Sequence, residues 1–284
     1  MWTIAELTVK EILYKRIFIV IFWMSLAFLV CYGVGTHYAG EKMAQANSTM
    51  GYMAKGFLST QIYGMGLYFA SFITSLLAIF SSVGSISKEI ESRQIDPLLS
   101  RPLSRYSFVF GRFIGLSGLL ALYGVWLFLG ITLVNQWLGG DLKATVTMVQ
   151  ILQALGLFIL QPIILVTVSL LFSARISTLN SGIIMMMLYV ISMIGGFIEQ
   201  IGSLVKETIM INIGIVTSLV FPIDSLFRKM TICLFDSADN PISFAAQGLF
   251  GSVSAPSNVM IFYTFLYGIV ALCTTVRSFS VRDL

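Results

Sequence analysis

The chain has 284 residues, of which 57% are hydrophobic and only 11% charged, and its mean hydropathy is +0.91. A soluble domain carries roughly 25% charged residues and needs polar groups to cover its surface. A soluble enzyme, a nucleic-acid-binding domain and a disordered chain are therefore excluded, and the net charge of +4 matters less than where its members fall.

In chain order, Trp2–Phe18 comes first. Ile4, Leu7, Ile12 and Leu13 alternate with Glu6, Lys10, Glu11, Lys15 and Arg16, which predicts an amphipathic helix lying on a membrane surface and leading into the first span. Six uninterrupted apolar runs follow, at Ile17–Gly35, Gln61–Ser85, Phe113–Trp137, Val149–Ser173, Ser181–Ser203 and Val259–Val276. Each is long enough to cross roughly 30 Å of hydrocarbon. No Lys, Arg, Asp or Glu interrupts them except Glu199, near the end of the fifth. They lack the alternation of barrel strands, so they read as helices that satisfy their own backbone. The expected fold is all-α, a polytopic membrane protein with six transmembrane helices in a single domain over residues 1–284. The first run follows a charged segment and lacks a small-x-small cleavage site, so an uncleaved span is expected.

Between the second and third runs lies the most charged stretch, residues 86–112. A short helix is expected over residues 86–96, supported by Glu89 and Arg93 at i,i+4 spacing. Pro97 stops that helix and Pro102 fixes a second bend. Ser104 then caps the helix that becomes the third span. The loop therefore reads as a rigid charged elbow. Beyond the fifth run, Thr208–Phe221 is apolar but only 14 residues long before Pro222. A run of that length enters and returns, or lies in the interface. Residues 204–258 as a whole are too apolar for a free loop and too broken for two spans.

Of the 17 Lys and Arg residues, 11 fall on the side that holds both termini and the 86–112 loop. The positive-inside rule places that side in the cytoplasm. Cys31, Cys233, Cys273 and His37 have no ligand spacing, so no metal or cofactor is expected. No phosphate-binding GxxxxGK[ST] loop, HExxH or GxSxG is present. The middle of each run is free of ionisable groups, whereas ion-driven carriers need them there. An internal energy source and catalysis are not expected, and force would have to arrive through a contact outside the membrane. Tyr68, Phe69, Phe72, Trp126, Met185, Met186 and Met187 could line a lipophilic path or simply pack, and Gly64, Gly66, Gly115 and Gly118 could allow close helix contact.

The stretch Ser87–Phe113, with Glu89, Glu91, Leu98-Leu99, Pro102, Arg105, Gly111 and Arg112, resembles the first cytoplasmic loop of ABC-2 type transporter permeases. Gln94-Ile95 departs from the Gly-Thr common there. Phe221–Arg228 and Phe279–Leu284 also resemble that family, and within it the branch named for nitrous-oxide-reductase (multicopper enzyme) maturation. The resemblance implies a permease that dimerises with a second copy or a paralogue. It would sit on separate ABC ATPase subunits, which hold ATP and Mg, and would most naturally export its substrate. Residues 1–16, with Lys10, Lys15 and Arg16, would be an elbow helix. The loop helix, with Lys88, Glu89, Ile90, Glu91, Arg93, Asp96, Pro102 and Arg105, would couple to the ATPase. The outer segment, with Pro222, Asp224 and Arg228, would line or cap the exit. The expected setting is the lipid bilayer of a bacterial cell membrane, with no nucleic acid as partner. The alternatives are a non-transporting scaffold or sensor subunit of a membrane complex, and a secondary carrier or channel.

Overall fold

The computed structural model describes residues 1–45, 52–92, 105–235 and 256–281. Its helices are α1 (Trp2–Tyr14), α2 (Arg16–Gln45), α3 (Tyr52–Ser82), α4 (Ser87–Glu91) and α5 (Arg105–Leu138). After a 3-10 turn at Gly140–Leu142 come α6 (Met148–Arg175), α7 (Thr178–Val205), α8 (Thr208–Val220), α9 (Ile223–Phe235) and α10 (Asn258–Val281). The six helices long and apolar enough to cross a membrane are α2, α3, α5, α6, α7 and α10, matching the six apolar runs in order. Most overshoot their runs. The first run ends at Gly35 while α2 continues to Gln45. Hydropathy marks the thickness of hydrocarbon, whereas a helix ends where its backbone meets a cap or a breaker.

Lipid in place of water lets apolar side chains face outward, and Trp23, Val30, Leu122, Leu152, Ile183 and Phe262 do so. Helix α3 is the centre of the bundle, with 72% of its apolar window buried against 22% for α2 at the periphery. Tyr63, Leu67, Ala70, Leu77 and Ala78 of α3 are essentially inaccessible.

Both chain ends meet at one end of the bundle, termed here the terminal end. There α1 lies across the start of α5, and α4 follows α3. A Cβ at Gly115 would meet the Ala5 carbonyl oxygen at 2.7 Å, and one at Gly111 would meet Ile4 Cβ at 2.8 Å. These two glycines, one helical turn apart, form the groove that seats α1. Lys15 is extended (φ −67°, ψ 130°) and ends α1, so Arg16 opens the first span rather than closing the amphipathic helix as expected. At the far end the 3-10 turn takes Gly140 into the left-handed region (φ 53°), and Ser59 Oγ donates to the Leu142 carbonyl at 2.9 Å.

The segment after α7 folds back into the bundle. Lys206 adopts a left-handed conformation (φ 62°), ends α7 and reverses the chain. Helix α8 then runs antiparallel along the last turns of α7. Gly195 faces Thr217, Gly214 faces Glu199, and a Cβ at Gly202 would meet Met210 Cβ at 2.6 Å. With 13 residues α8 is about 20 Å long, short of a full crossing. At Phe221-Pro222 the axis bends by 107° into α9, which packs on α6. Phe235 at the end of α9 stacks edge-on against Tyr63, towards the far end of α3. The pair thus enters and returns on one side, the re-entrant form of the expectation for Thr208–Phe221.

Candidate functional site

Two ionic centres stand out, one at the terminal end and one inside the bundle. The first is built on the charged loop. Helix α4 has only five residues, too few to nucleate alone. Its first backbone donors are satisfied from another helix: Ile86 N and Ser87 N donate to Ser173 Oγ of α6 at 3.1 and 3.0 Å. Ser87 Oγ and Thr178 Oγ1 of α7 share a hydrogen bond of 2.7 Å. The Glu91 carboxylate accepts from Thr178 N at 2.8 Å and from Thr178 Oγ1 at 3.2 Å, so it caps the start of α7. Ile90 packs against the core beneath.

Glu89 is turned inward and pairs with Arg112 of α5. The same guanidinium pairs with Glu11 of α1 and lies over the Phe108 ring. Lys15 completes the group, 3.0 Å from Glu11. Burial alone would raise the Glu11 carboxyl. The hydrogen bond and charge of Arg112, with those of Lys15, outweigh that and hold it below the usual carboxylate range. One arginine therefore ties the surface helix to the loop helix across the start of a span.

Of the other residues expected to couple, Lys88 is exposed, and Arg105 donates to the carbonyls of Phe279 and Ser280 at 3.4 and 3.0 Å. Arg105 thereby satisfies the last turn of α10. The helix expected over residues 86–96 ends at Glu91 with Ser92 as its cap, and Arg93, Asp96 and Pro102 lie outside the described residues. Lys10 forms an exposed pair with Glu6 at 2.7 Å, and Arg16 is exposed.

The second centre joins Glu199, the one charge inside an apolar run, to Asp224 and Arg228 of the segment expected to line or cap the exit. Arg228 of α9 is 1% exposed. Its Nη1 and Nη2 donate to the two oxygens of Glu199 at 2.7 and 2.8 Å, and its Nε donates to Asp224 Oδ2 at 2.9 Å. Ser218 Oγ of α8 accepts from Nη2 at 3.3 Å. The runs themselves are indeed poor in charge, but the re-entrant pair carries Asp224 and Arg228 inward from the segment between them. Asp224 N donates to Ser192 Oγ, and Ser192 sits halfway along α7. A small cavity of about 20 Å³ adjoins the carboxyl, lined by Tyr68, Ser71, Gln161, Tyr189, Ser192 and Asp224 among others. Gln161 lies halfway along α6, so the Asp224 side of this centre is at mid-depth of the bundle, while Glu199 lies nearer the far end of α7.

A family model for ABC-2 family transporter protein matches residues 2–284. The chain belongs to the ABC-2 transporter family. A search of curated proteins gives no match. The ABC-2 assignment makes the chain a multi-pass membrane permease subunit. It does not by itself account for the mid-depth centre of this ABC-2 protein, which sequence reasoning missed. The available signal was Glu199 alone in an otherwise apolar span, followed after Pro222 by Asp224 and Arg228 at i,i+4 spacing. Among the residues considered for a lipophilic path, Tyr68 lines the cavity, Met185 is in the core, Met187 faces outward, and Trp126 stacks on Phe22 at 5.2 Å. Gly66 and Gly115 meet neighbouring helices, whereas Gly118 faces open space.

Proposed function

We propose that this chain is the permease through which separate ABC ATPase subunits, binding ATP and Mg, drive substrate across the cytoplasmic membrane, in the direction of export. The terminal end would then face the cytoplasm, where the excess of Lys and Arg also places it. The observation that supports the reading most is the anchoring of α4. A five-residue helix held to α6 by Ser173, to α7 through Glu91 and to α5 through Glu89 and Arg112 cannot be displaced without moving three spans or breaking its contacts to them. That is what a lever between an ATPase and a membrane bundle requires.

The inward turn of Glu89 divides the labour within the loop. Glu89 serves the permease, while Lys88, with Arg93 and Asp96 further along the loop, would meet the ATPase and set register by charge complementarity. A second permease copy or a paralogue would complete the assembly, and the re-entrant pair with Pro222 would cap the exit. The branch for multicopper-enzyme maturation remains the finer reading of the same motifs.

The test is to co-express the full chain with any ATPase encoded beside it, and to measure ATP turnover and ATP-driven flux in vesicles. Lys88→Glu should weaken ATPase association. Glu89→Gln should leave association intact and lower flux per ATP by about tenfold, equivalent to about 1.4 kcal/mol of coupling. If no ATPase co-purifies, or if flux proceeds on an ion gradient without ATP, the coupling reading fails. A scaffold subunit would associate with its complex and show no flux.

A further inference from the structure

The mid-depth centre holds two carboxylates and one guanidinium, so with every group ionised it carries a formal charge of −1. All three side chains are nine-tenths or more buried. Glu199 spends both oxygens on Arg228 in a bidentate pair, the geometry that best compensates a buried carboxylate. Asp224 accepts from Arg228 through one oxygen only, Oδ2. The Asp224 carboxyl rests against the bare backbone of Gly196, where any Cβ would collide with it, and it lines the cavity.

The other groups facing Asp224 cannot supply the missing positive charge. From α3 come Tyr68 and Ser71, from α6 Gln161, and from α7 Tyr189, Ser192 and Glu199, with Arg228 as the one cation in the centre. Ser71 already donates to Gln161 Oε1 at 2.8 Å, and Gln161 Nε2 donates to Ser75 Oγ at 2.9 Å. A buried, uncompensated carboxylate costs several kcal/mol, and such groups neutralise rather than remain charged. The cavity's volume of about 20 Å³ admits one water molecule, for which roughly 10–15 Å³ is needed.

We infer that Asp224 is a proton-binding site, and that the bound proton is the ligand that makes the centre neutral and locks the re-entrant pair onto α7. Uptake adds one proton from water to the carboxylate of Asp224, giving a carboxylic acid whose O–H donates to the cavity water. Release restores the second negative charge beside Arg228, under the bend at Pro222. The α8–α9 pair thereby gains a sensitivity to protons that does not depend on the coupling reading above.

The test is a pH titration of the full chain in lipid nanodiscs, followed by infrared spectroscopy of the C=O stretch of a protonated carboxyl group. One such band is expected in the wild type, and raising the pH should remove it. It should be lost in Asp224→Asn. It should also be lost in Glu199→Gln, although Asp224 is intact there, because one carboxylate against one guanidinium needs no proton. Arg228→Lys, which keeps the charge balance, should retain it. No band in the wild type at any pH at which it stays folded, or a band that survives Asp224→Asn, overturns the proposal, and the wild-type titration decides even if a variant does not fold. A band that appears only when sodium is replaced by choline also overturns it, since a sodium ion would then be the compensating charge.

Discussion

Arg112 and Arg228 occupy centres of the same composition in opposite surroundings. Each guanidinium joins two carboxylates from different parts of the chain, Glu11 and Glu89 in one case, Glu199 and Asp224 in the other. At the terminal end the carboxylates retain 40% and 20% of their exposure and Lys15 balances the charge; at mid-depth they retain 7% and 10%, and no second cation pairs with them among the described residues. Water makes the first centre adjustable on the Glu11 side, where a displaced carboxylate is hydrated at once. The second is nearly all-or-none, because a displaced carboxylate there meets hydrocarbon or another buried dipole. Under the proposed function, an adjustable joint would suit a coupling lever and a stiff one a closed exit.

The contrast breaks most visibly at Arg228. Arg228→Ala leaves two buried carboxylates unpaired and should cost about 3–5 kcal/mol of stability. Unfolding in mixed micelles measures it. Replacing Glu199, Asp224 and Arg228 together by apolar residues of similar size should recover most of that loss. Arg112→Ala is expected to cost less, about 1–3 kcal/mol, since Glu11 can turn to water and chiefly Glu89 is stranded. Hydrogen exchange should show the loss confined to α1 and α4. Acidification sharpens the same point. The folded Glu11 carboxyl titrates below its unfolded value, so its contribution is present above the unfolded pKa and is lost as the pH falls through the folded one. Exchange in α1 should therefore rise in acid in the wild type and stay flat in Glu11→Gln. The smallest effect is reserved for Lys10, whose pair with Glu6 is wholly in solvent. Lys10→Ala should leave the thermal midpoint unmoved, as exposed ion pairs generally do.

The six spans were legible in the sequence because a lipid solvent demands a continuous apolar surface, a requirement each run of Leu, Ile, Phe and Val meets on its own. The short length of Thr208–Phe221 and the stop at Pro222 likewise announced a segment that enters and returns or lies in the interface, without deciding between the two. The charged loop was legible as the densest cluster of charge, but the direction of Glu89 was not, because its partner Arg112 lies beyond two prolines. The mid-depth centre escaped for a related reason. Glu199 and Arg228 are 29 residues apart and meet only because Gly195, Gly196, Gly202 and Gly214 let α8 and α9 close against α7. Hydropathy averages over such a segment and sees apolar residues with a few charges at its margin, whereas the fold gathers those charges at one depth.

The borrowed cap of α4 has a consequence for how the molecule signals its state. With five residues and Ser173 supplying the acceptor for its first amides, this helix exists while the end of α6 lies beneath it. A slide of α6 by a single turn, about 5.4 Å, would carry that hydroxyl out of reach. The loop would then lose its secondary structure rather than merely shift, and a partner bound to it would register movement of the span as an order-to-disorder transition.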